Sequence, residues 1–313
     1  MSKIGNQVIY NLKKDRSSFV SFGIIILITA LILSCAAVLL LQVDGAYDDK
    51  RVKLDTAGVN AIVPAAQGGD AEKALGALDA VESLESHKAI LTEATVKDFN
   101  GADFTMNTVF YSLDDARAMN RFDLVEKLDR EVENPIYVPG FVANFGGFPV
   151  GEQITYVING VEHRFTVAGV IDEMQYGNYG SDLLCAYLPR EGFDALSEEL
   201  GDADVTEISV MVKAGNTLKT VKESVSKALQ DQNVMLLFCL DADSVKETRT
   251  MVSTLLVLIL AAFAAIILAV SVFLSNFRVK NALESEIVNM SVLKALGYTS
   301  GQIVAGITVP YAA

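Results

Sequence analysis

Two histidines, three cysteines and a few paired carboxylates are what this 313-residue sequence offers to catalysis or metal binding. His87 and His163 are far apart in the chain, and neither has Cys or a carboxylate at the spacing of a metal-ligand set. His163 falls in an alternating strand pattern, where a core or rim histidine is expected. Cys35 lies in an uncharged stretch, while Cys185 and Cys239 sit in strand-like apolar runs and read as buried thiols. A bridge between those two stays open, since it needs Cα atoms within about 7 Å. Asp172-Glu173 and Asp241/Asp243 are carboxylate pairs, expected to be solvated in so acidic a chain, and the Asp241 run lacks the glycine and closing Glu of a calcium loop. No G-x-x-x-x-G-K-[ST] phosphate loop and no G-x-S-x-G nucleophile elbow occurs. The chemistry points away from an enzyme, and no metal or cofactor is expected in this chain.

The elements that carry these residues are set by two uncharged runs. The 27 residues Ser17–Val43 and the 28 residues Thr250–Phe277 contain no charged side chain. A bilayer core needs about 20 apolar residues of helix, so each run is expected to cross it once. The first run has 15 Leu, Ile, Val or Phe residues between Phe19 and Leu41, an apolar core longer than that of a signal peptide, and reads as a retained anchor. Neither run contains an ionisable side chain of the kind that marks ion or proton pathways.

Charge orients the chain. Lys3, Lys13, Lys14 and Arg16 precede the first run, and Arg278, Lys280 and Lys294 follow the second. The flanks hold 7 basic and 3 acidic residues, whereas Asp44–Arg249 holds 18 basic and 36 acidic. The basic ends belong in the cytoplasm and the acidic insert outside. With no cluster of Lys and Arg, nucleic acid is not expected as a partner.

The insert reads as a mixed fold, an α+β extracytoplasmic domain. Val59–Val63 resembles a strand, Asp70–Leu84 a helix capped by Asp70, and Asp103–Leu113 a strand. A second group closes the insert: strand Val205–Val212, a helix opened by Asn216 with Leu218, Val221, Val225 and Leu229 in register, and strand Val234–Leu240. Between the two βαβ-like pieces lies a mostly β subdomain, about 135–189. There Asn159-Gly160, between Ile154–Ile158 and Val161–Val167, predicts a two-residue type I′ hairpin.

After the second run, Asn281 with Glu284 has the spacing of a helix-capping box. Ile287, Met290, Leu293 and Leu296 form one apolar row and Val288, Val292 and Ala295 a second, with Gly297 as a natural stop. Such a helix either lies on the membrane surface or docks to a partner protein.

Glu286-Ile287, then Ser291-Val292-Leu293-Lys294-Ala295-Leu296-Gly297-Tyr298 and Gln302-Ile303, resembles the E-I…L-[KR]-A-L-G…Q-I signature of FtsX/MacB-type ABC transporter permeases. Pro135-Ile136-Tyr137-Val138, Gly151-Glu152-Gln153-Ile154 and Phe165–Ile171 resemble the middle of the MacB-like periplasmic core domain. The resemblance implies a cytoplasmic N-terminus (1–16), a first span (17–43), an outer domain (44–249), a second span (250–277), a coupling-helix region (278–300) and the start of a third span (301–313). It implies a permease subunit in the cell membrane, multi-pass, with Glu286, Val292, Leu293, Lys294, Leu296 and Gly297 docking on a separate ABC ATPase that holds the ATP. Further implied partners are a second permease copy or half and membrane lipids. The role would be efflux, lipid or lipoprotein handling, or envelope regulation. The alternative is a two-span sensor with an outer ligand-binding domain.

Overall fold

The computed structural model of the chain describes residues 16–176, 183–285, 287–295 and 297–303. It divides into two compact units, Asp44–Met251 on one hand and Met1–Val43 with Val252–Ala313 on the other. In chain order the elements are α1 (Arg16–Lys53), β1 (Val59–Pro64), α2 (Gly68–Gly76), β2 (Val81–Phe99), β3 (Ala102–Ser112), β4 (Asp123–Lys127) and β5 (Pro135–Pro139). A five-residue π-turn, Phe141–Phe145, follows. Then come β6 (Gln153–Ile158), β7 (Val161–Asp172), β8 (Leu183–Leu188), α3 (Arg190–Leu200) and β9 (Asp204–Val212). The last elements are α4 (Leu218–Asp231), β10 (Phe238–Asp241), α5 (Ala242–Ser285) and α6 (Ile287–Ala295).

Unit Asp44–Met251 is built on one ten-stranded sheet in the order β10-β1-β9-β2-β3-β8-β5-β7-β4, with β6 pairing β2 and β7. The two βαβ-like pieces read from the sequence are not separate. In β10-β1-β9-β2 every neighbouring pair is antiparallel, so β1-α2-β2 encloses β9 and β9-α4-β10 encloses β1. Each crossover must reach past a strand of the other, which welds the two into a split βαβ half-sheet. Ala71 and Leu75 of α2 and Val221, Val225 and Leu229 of α4 pack on Val59, Ala61, Ile208 and Val210. Burying three aliphatic side chains of α4 at i, i+4 and i+8 is worth roughly 5–9 kcal/mol before chain entropy is subtracted.

In the other half, alternation along β3 and β8 divides two cores. Phe110, Leu184, Ala186 and Leu188 join Phe193 and Leu196 of α3 in one, and Val109, Tyr111, Leu183, Cys185 and Tyr187 form the other. Both faces of β8 are therefore covered, which is why Leu183–Leu188 reads as an unbroken apolar run.

Several local expectations shift. The first helix wholly within the insert is α2, nine residues with Gln67 as N-cap, and not Asp70–Leu84. Val81 and Leu84 instead open β2, whose 19 residues are held by β9 on one side and β3 on the other. Leu78 and Leu84 still pack on the same core, so helical spacing pointed at the right neighbours through the wrong element. Thr217, not Asn216, caps α4, its hydroxyl accepting from the Thr220 N–H. The closing strand is only Phe238–Asp241, with Val234 buried in the turn before it. Asn159 and Gly160 have φ of 50° and 81°, as a type I′ turn requires, and set Ile158 opposite Val161.

Among the described residues one helix, Ala242–Leu274, is long and apolar enough to cross a membrane, and Gly23–Leu39 is a shorter apolar helix. Asn281 does not open a new helix, because α5 runs through it to Ser285. No Gly or Pro interrupts the chain between Thr250 and Ser285, so nothing local breaks the helix at a potential cap.

Candidate functional site

Within Asp44–Met251 the point of greatest chemical density is where the two chain ends enter the sheet. β1 and β10 are neighbours, with Val59 opposite Asp241, and the Ala242 N–H donates to the Gly58 carbonyl at 2.9 Å. The end of α1 therefore lies beside the start of α5. The Tyr47 hydroxyl donates to the Ala242 carbonyl, Lys246 Nζ contacts both oxygens of Asp48 at 3.0 Å, and Arg51 meets Asp243 at 3.4 Å. Lys50 pairs with Asp172 and Lys53 with Asp123, on β7 and β4. The pairs at the surface each contribute under about 1 kcal/mol; their value is in fixing register.

Asp241 is the N-cap of α5. Its carboxylate accepts from the Ser244 N–H at 2.9 Å, the Ser244 hydroxyl at 2.7 Å and Lys222 Nζ at 3.1 Å. Burial alone would raise this carboxyl, but the Ser244 and Lys222 hydrogen bonds outweigh it and hold it below the usual carboxylate range.

Behind these contacts runs a buried polar network. Two turns into α5, the Arg249 guanidinium donates to Glu173 Oε1 at 2.9 Å and to the Tyr176 carbonyl at 2.7 Å. Glu173 Oε2 accepts from the N–H groups of Gln175 (2.7 Å) and Tyr176 (2.9 Å). The Tyr176 hydroxyl donates to Glu207 Oε1 at 2.9 Å, and Arg117 to Glu207 Oε2 at 3.3 Å. Arg117 is 4% exposed and Glu207 1%. The guanidinium of Arg117 lies over Tyr111, 4.3 Å from its ring centre, where the ring face helps offset the desolvated charge.

A second branch centres on Asn120. Its carbonyl oxygen accepts from the Ala57 N–H at 2.8 Å and Gln175 Nε2 at 2.6 Å, and its amide donates to Asn60 (2.8 Å) and Ser209 (2.7 Å). Asn120 has φ of 52°, a left-handed conformation that Asn tolerates better than most residues. The two branches tie the exit of α1, strands β1 and β9, the loop after β7 and the start of α5 into one assembly.

Its electrostatics are those of a clamp. Burial pushes the Glu173 carboxyl up from its ordinary value, opposed by Arg249 and by the two backbone N–H groups. Burial, then the neighbouring Arg117, pushes His87 down, so its 3.3 Å approach to Glu85 is a contact of neutral imidazole rather than an ion pair. Each of the four oxygens of Glu173 and Glu207 accepts at least one hydrogen bond.

Glu173 and Asp241, expected to be solvated, are thus buried and fully partnered. Sequence reasoning also missed Arg117, Asn120 and Glu207. One signal was present: Glu207 sits inside the strand Val205–Val212, where an acid on a central strand requires a buried cation. His163 lies at the rim, 3.6 Å from Glu199 and stacked on Phe165. Cys185 and Cys239 are both free thiols, on β8 and β10. These strands are five places apart in the sheet, roughly 24 Å, beyond any disulfide.

Of the residues read as docking on an ATPase, Glu286 and Leu296 lie outside the described residues. Val292, Leu293 and Lys294 are on α6, Val292 and Lys294 exposed, and the Leu293 side chain lies outside the described ones. Gly297 has φ of 90° and its N–H donates to the Lys294 carbonyl, the geometry of a glycine stop.

The profile of the MacB-like periplasmic core domain family matches residues 18–228. The chain belongs to this family. The domain is the extracytoplasmic part of MacB/FtsX-type ABC transporter permeases. Among solved structures the chain is similar to the periplasmic region of MacB from Actinobacillus actinomycetemcomitans, with 14% identity over 63% of this chain and 94% of that one and a TM-score of 0.31. It is similar also to a domain described as a permease protein's from Porphyromonas gingivalis (14%, over 56% and 84%, TM-score 0.28). A third is a protein described as a lipoprotein from Bacillus anthracis (13%, over 59% and 97%, TM-score 0.32). No curated protein matches the chain. The MacB-like match closes before β10 and α5, so Arg249 and the Asp241 cap lie outside the matched residues.

Proposed function

We propose that the chain is a permease subunit of an ABC transporter, in which a separate ATPase drives motion of the Asp44–Met251 domain. In this reading residues 17–43 and 250–277 both cross the cell membrane, 44–249 lies outside, and 278–300 meets the ATPase. Residues 301–313 begin a third crossing. The observation that carries the reading is Arg249. The helix apolar enough to cross a membrane is the same helix whose first turns are fixed to the outer sheet by a buried ion pair and a buried cap. A displacement of α5 then loads Glu173, Glu207 and β9 directly, and the Lys246–Asp48 and Arg51–Asp243 pairs share it with α1. Family membership supports the partnership with an ATPase. Val292, Leu293, Lys294 and the flanking Glu286, Leu296 and Gly297 are the proposed docking surface. Efflux, lipid or lipoprotein handling, and envelope regulation are all served by one outer domain moved by one inner engine.

The test is co-purification of the full-length chain with its ATPase and measurement of ATP hydrolysis in membranes. Leu293→Asp with Leu296→Asp is expected to abolish both association and stimulation. Arg249→Met is expected to keep association and reduce the coupling of hydrolysis to outer-domain motion. Undiminished association in the double variant overturns the docking role.

A further inference from the structure

We propose that the groove between α4 and the first turns of α5 holds the headgroup of a zwitterionic lipid bearing a phosphate and a primary ammonium, the chemistry of phosphatidylethanolamine. This rests on residues 250–277 crossing the cell membrane, not on the ATPase. The groove has a volume of about 800 Å³, in the range of small-molecule sites, and its lining residues all belong to the Asp44–Met251 unit. Two lining pairs are already committed: Lys222 is held by Asp241 at 3.1 Å, and Asp243 by Arg51 at 3.4 Å. Four charges are left. Lys219, Glu223 and Lys227 stand at i, i+4 and i+8 on α4, with Glu247 on α5. All four are exposed, and none makes an ion pair among the described residues. Glu223 and Lys227 even have the order and spacing that favour a pair along a helix, yet the pair is not made.

Chain geometry sets the depth of the groove. α5 is one continuous helix from Ala242 to Ser285, and Glu247 and Asp243 lie three and seven residues before Thr250, where the uncharged run begins. At the helical rise these are about 5 and about 10 Å of axis. The headgroup layer on each side of a bilayer core is itself roughly 5–8 Å thick. Glu247 therefore falls at headgroup level, and the other lining residues of α5 lie at its outer margin. The start of α4 belongs to the same end of the sheet. A Cβ on Gly58 would stand 2.9 Å from Leu218, the first residue of α4, and the Gly58 carbonyl accepts from Ala242 at the start of α5.

Charge selects the occupant. Two unpaired lysines suit a phosphate, and two unpaired glutamates suit a cation, so a headgroup carrying both satisfies all four. A purely anionic headgroup gains the lysines but meets Glu223 and Glu247, in a domain stretch with 36 acidic against 18 basic residues. A choline headgroup has the right net charge, but its quaternary nitrogen donates no hydrogen bond to the carboxylates. A primary ammonium donates three. The groove would thus fix the depth of the outer domain against the membrane surface at the point where α5 enters it.

In the experiment the full chain, solubilised in detergent, is given equal amounts of phosphatidylethanolamine, phosphatidylglycerol and phosphatidylcholine with identical acyl chains. Native mass spectrometry counts the lipid retained. Phosphatidylethanolamine is expected to be retained about tenfold over either competitor. Lys219→Gln with Lys227→Gln is expected to cut its retention about fivefold, with an unaltered circular dichroism spectrum. Glu223→Gln with Glu247→Gln is expected to erase the preference over phosphatidylglycerol, because the repelling carboxylates are gone. Lys97→Gln, outside the groove, is expected to change nothing. Equal retention of the three lipids by the unaltered chain, or an unchanged preference in both double variants, overturns the headgroup site. Release of the chain from vesicles by alkaline carbonate overturns the membrane crossing itself. A chain that resists carbonate and shows no lipid preference overturns the groove alone.

Discussion

Breaking the Arg249–Glu173 pair from its two sides should have unequal consequences. Glu173 is 6% exposed and Arg249 20%, so the arginine can reach water and the carboxylate cannot. Arg249→Met strands a buried carboxylate, and such losses cost about 3–5 kcal/mol. The lower end applies, about 3 kcal/mol, because Glu173 keeps the N–H groups of Gln175 and Tyr176. Glu173→Gln removes the charge that burial already disfavours and leaves Arg249 its bond to the Tyr176 carbonyl, so about 1 kcal/mol or less is expected. The double variant should lie near Glu173→Gln, not at the sum. The acidity dependence follows the same logic. The Glu173 carboxyl is raised above its unfolded value of 4.5, so the native state takes up its proton first, and this group adds stability as pH falls toward 4.5. The penalty of Arg249→Met should therefore shrink on acidification. Hydrogen exchange by mass spectrometry on the full chain in nanodiscs reads the opening free energies of amides 244–249 and 173–176. Equal costs for the two single variants, or strict additivity, would refute the clamp.

Other outcomes follow from single sites. Asp241→Ala removes the α5 cap and is expected to cost about 1–2 kcal/mol, read as faster exchange over the first turn of α5. Because the Asp241 carboxyl lies below its usual value, its contribution is present above pH 3.8 and is lost as pH falls through the folded value, the opposite sign to Glu173. Gly169→Ala places a Cβ 2.7 Å from the Tyr137 ring and 2.8 Å from the Glu126 carbonyl oxygen, where the paired β4 backbone has little room to yield. A loss of about 1–3 kcal/mol in thermal or denaturant stability is expected. Alkylation of the denatured, unreduced chain should label Cys35, Cys185 and Cys239 alike, and a mass lacking two of the labels would contradict the strand order.

What the sequence revealed and what it hid divide along the range of the interactions. The hairpin at Asn159-Gly160 was readable because two adjacent residues decide it. The buried face of α4 was readable because Val221, Val225 and Leu229 repeat within one helix. The extent of β2 was not. Ala74, Leu78, Val81 and Leu84 keep a helical spacing, and only pairing with β9, more than a hundred residues later, pulls Val81 and Leu84 into a strand. Glu173 was misread for the same reason: its partner is 76 residues away, and an acid in an acidic chain gives no local sign of burial. The residues expected to dock on an ATPase were suggested only by the family resemblance, since periodicity alone left Leu293 and Val292 equally suited to a membrane surface.

The strand order also decides how the domain answers a pull on α5. β10 is short, four residues at the sheet edge, yet its register is firmly set. Cys239 packs into the core under α2 and α4, whereas Phe238 and Leu240 pack into the core with Tyr111 and Tyr187. A slip of one residue against β1 would exchange these faces, sending the thiol into the aromatic core and two large side chains under the helices. It would also carry Asp241 away from Lys222 on α4. Sliding at this ladder is therefore costlier than moving the sheet with the helix, and the yielding point is placed elsewhere. In the turn before β10, Asn233 has φ of 55° and Met235 is 62% exposed, while Val234 is buried and Leu236 and Leu237 pack on the two cores. If α5 is driven as proposed, a force along it should shift the sheet as a whole while 232–235 flexes, and exchange there should rise under ATP turnover while the amides of β1 and β9 stay protected.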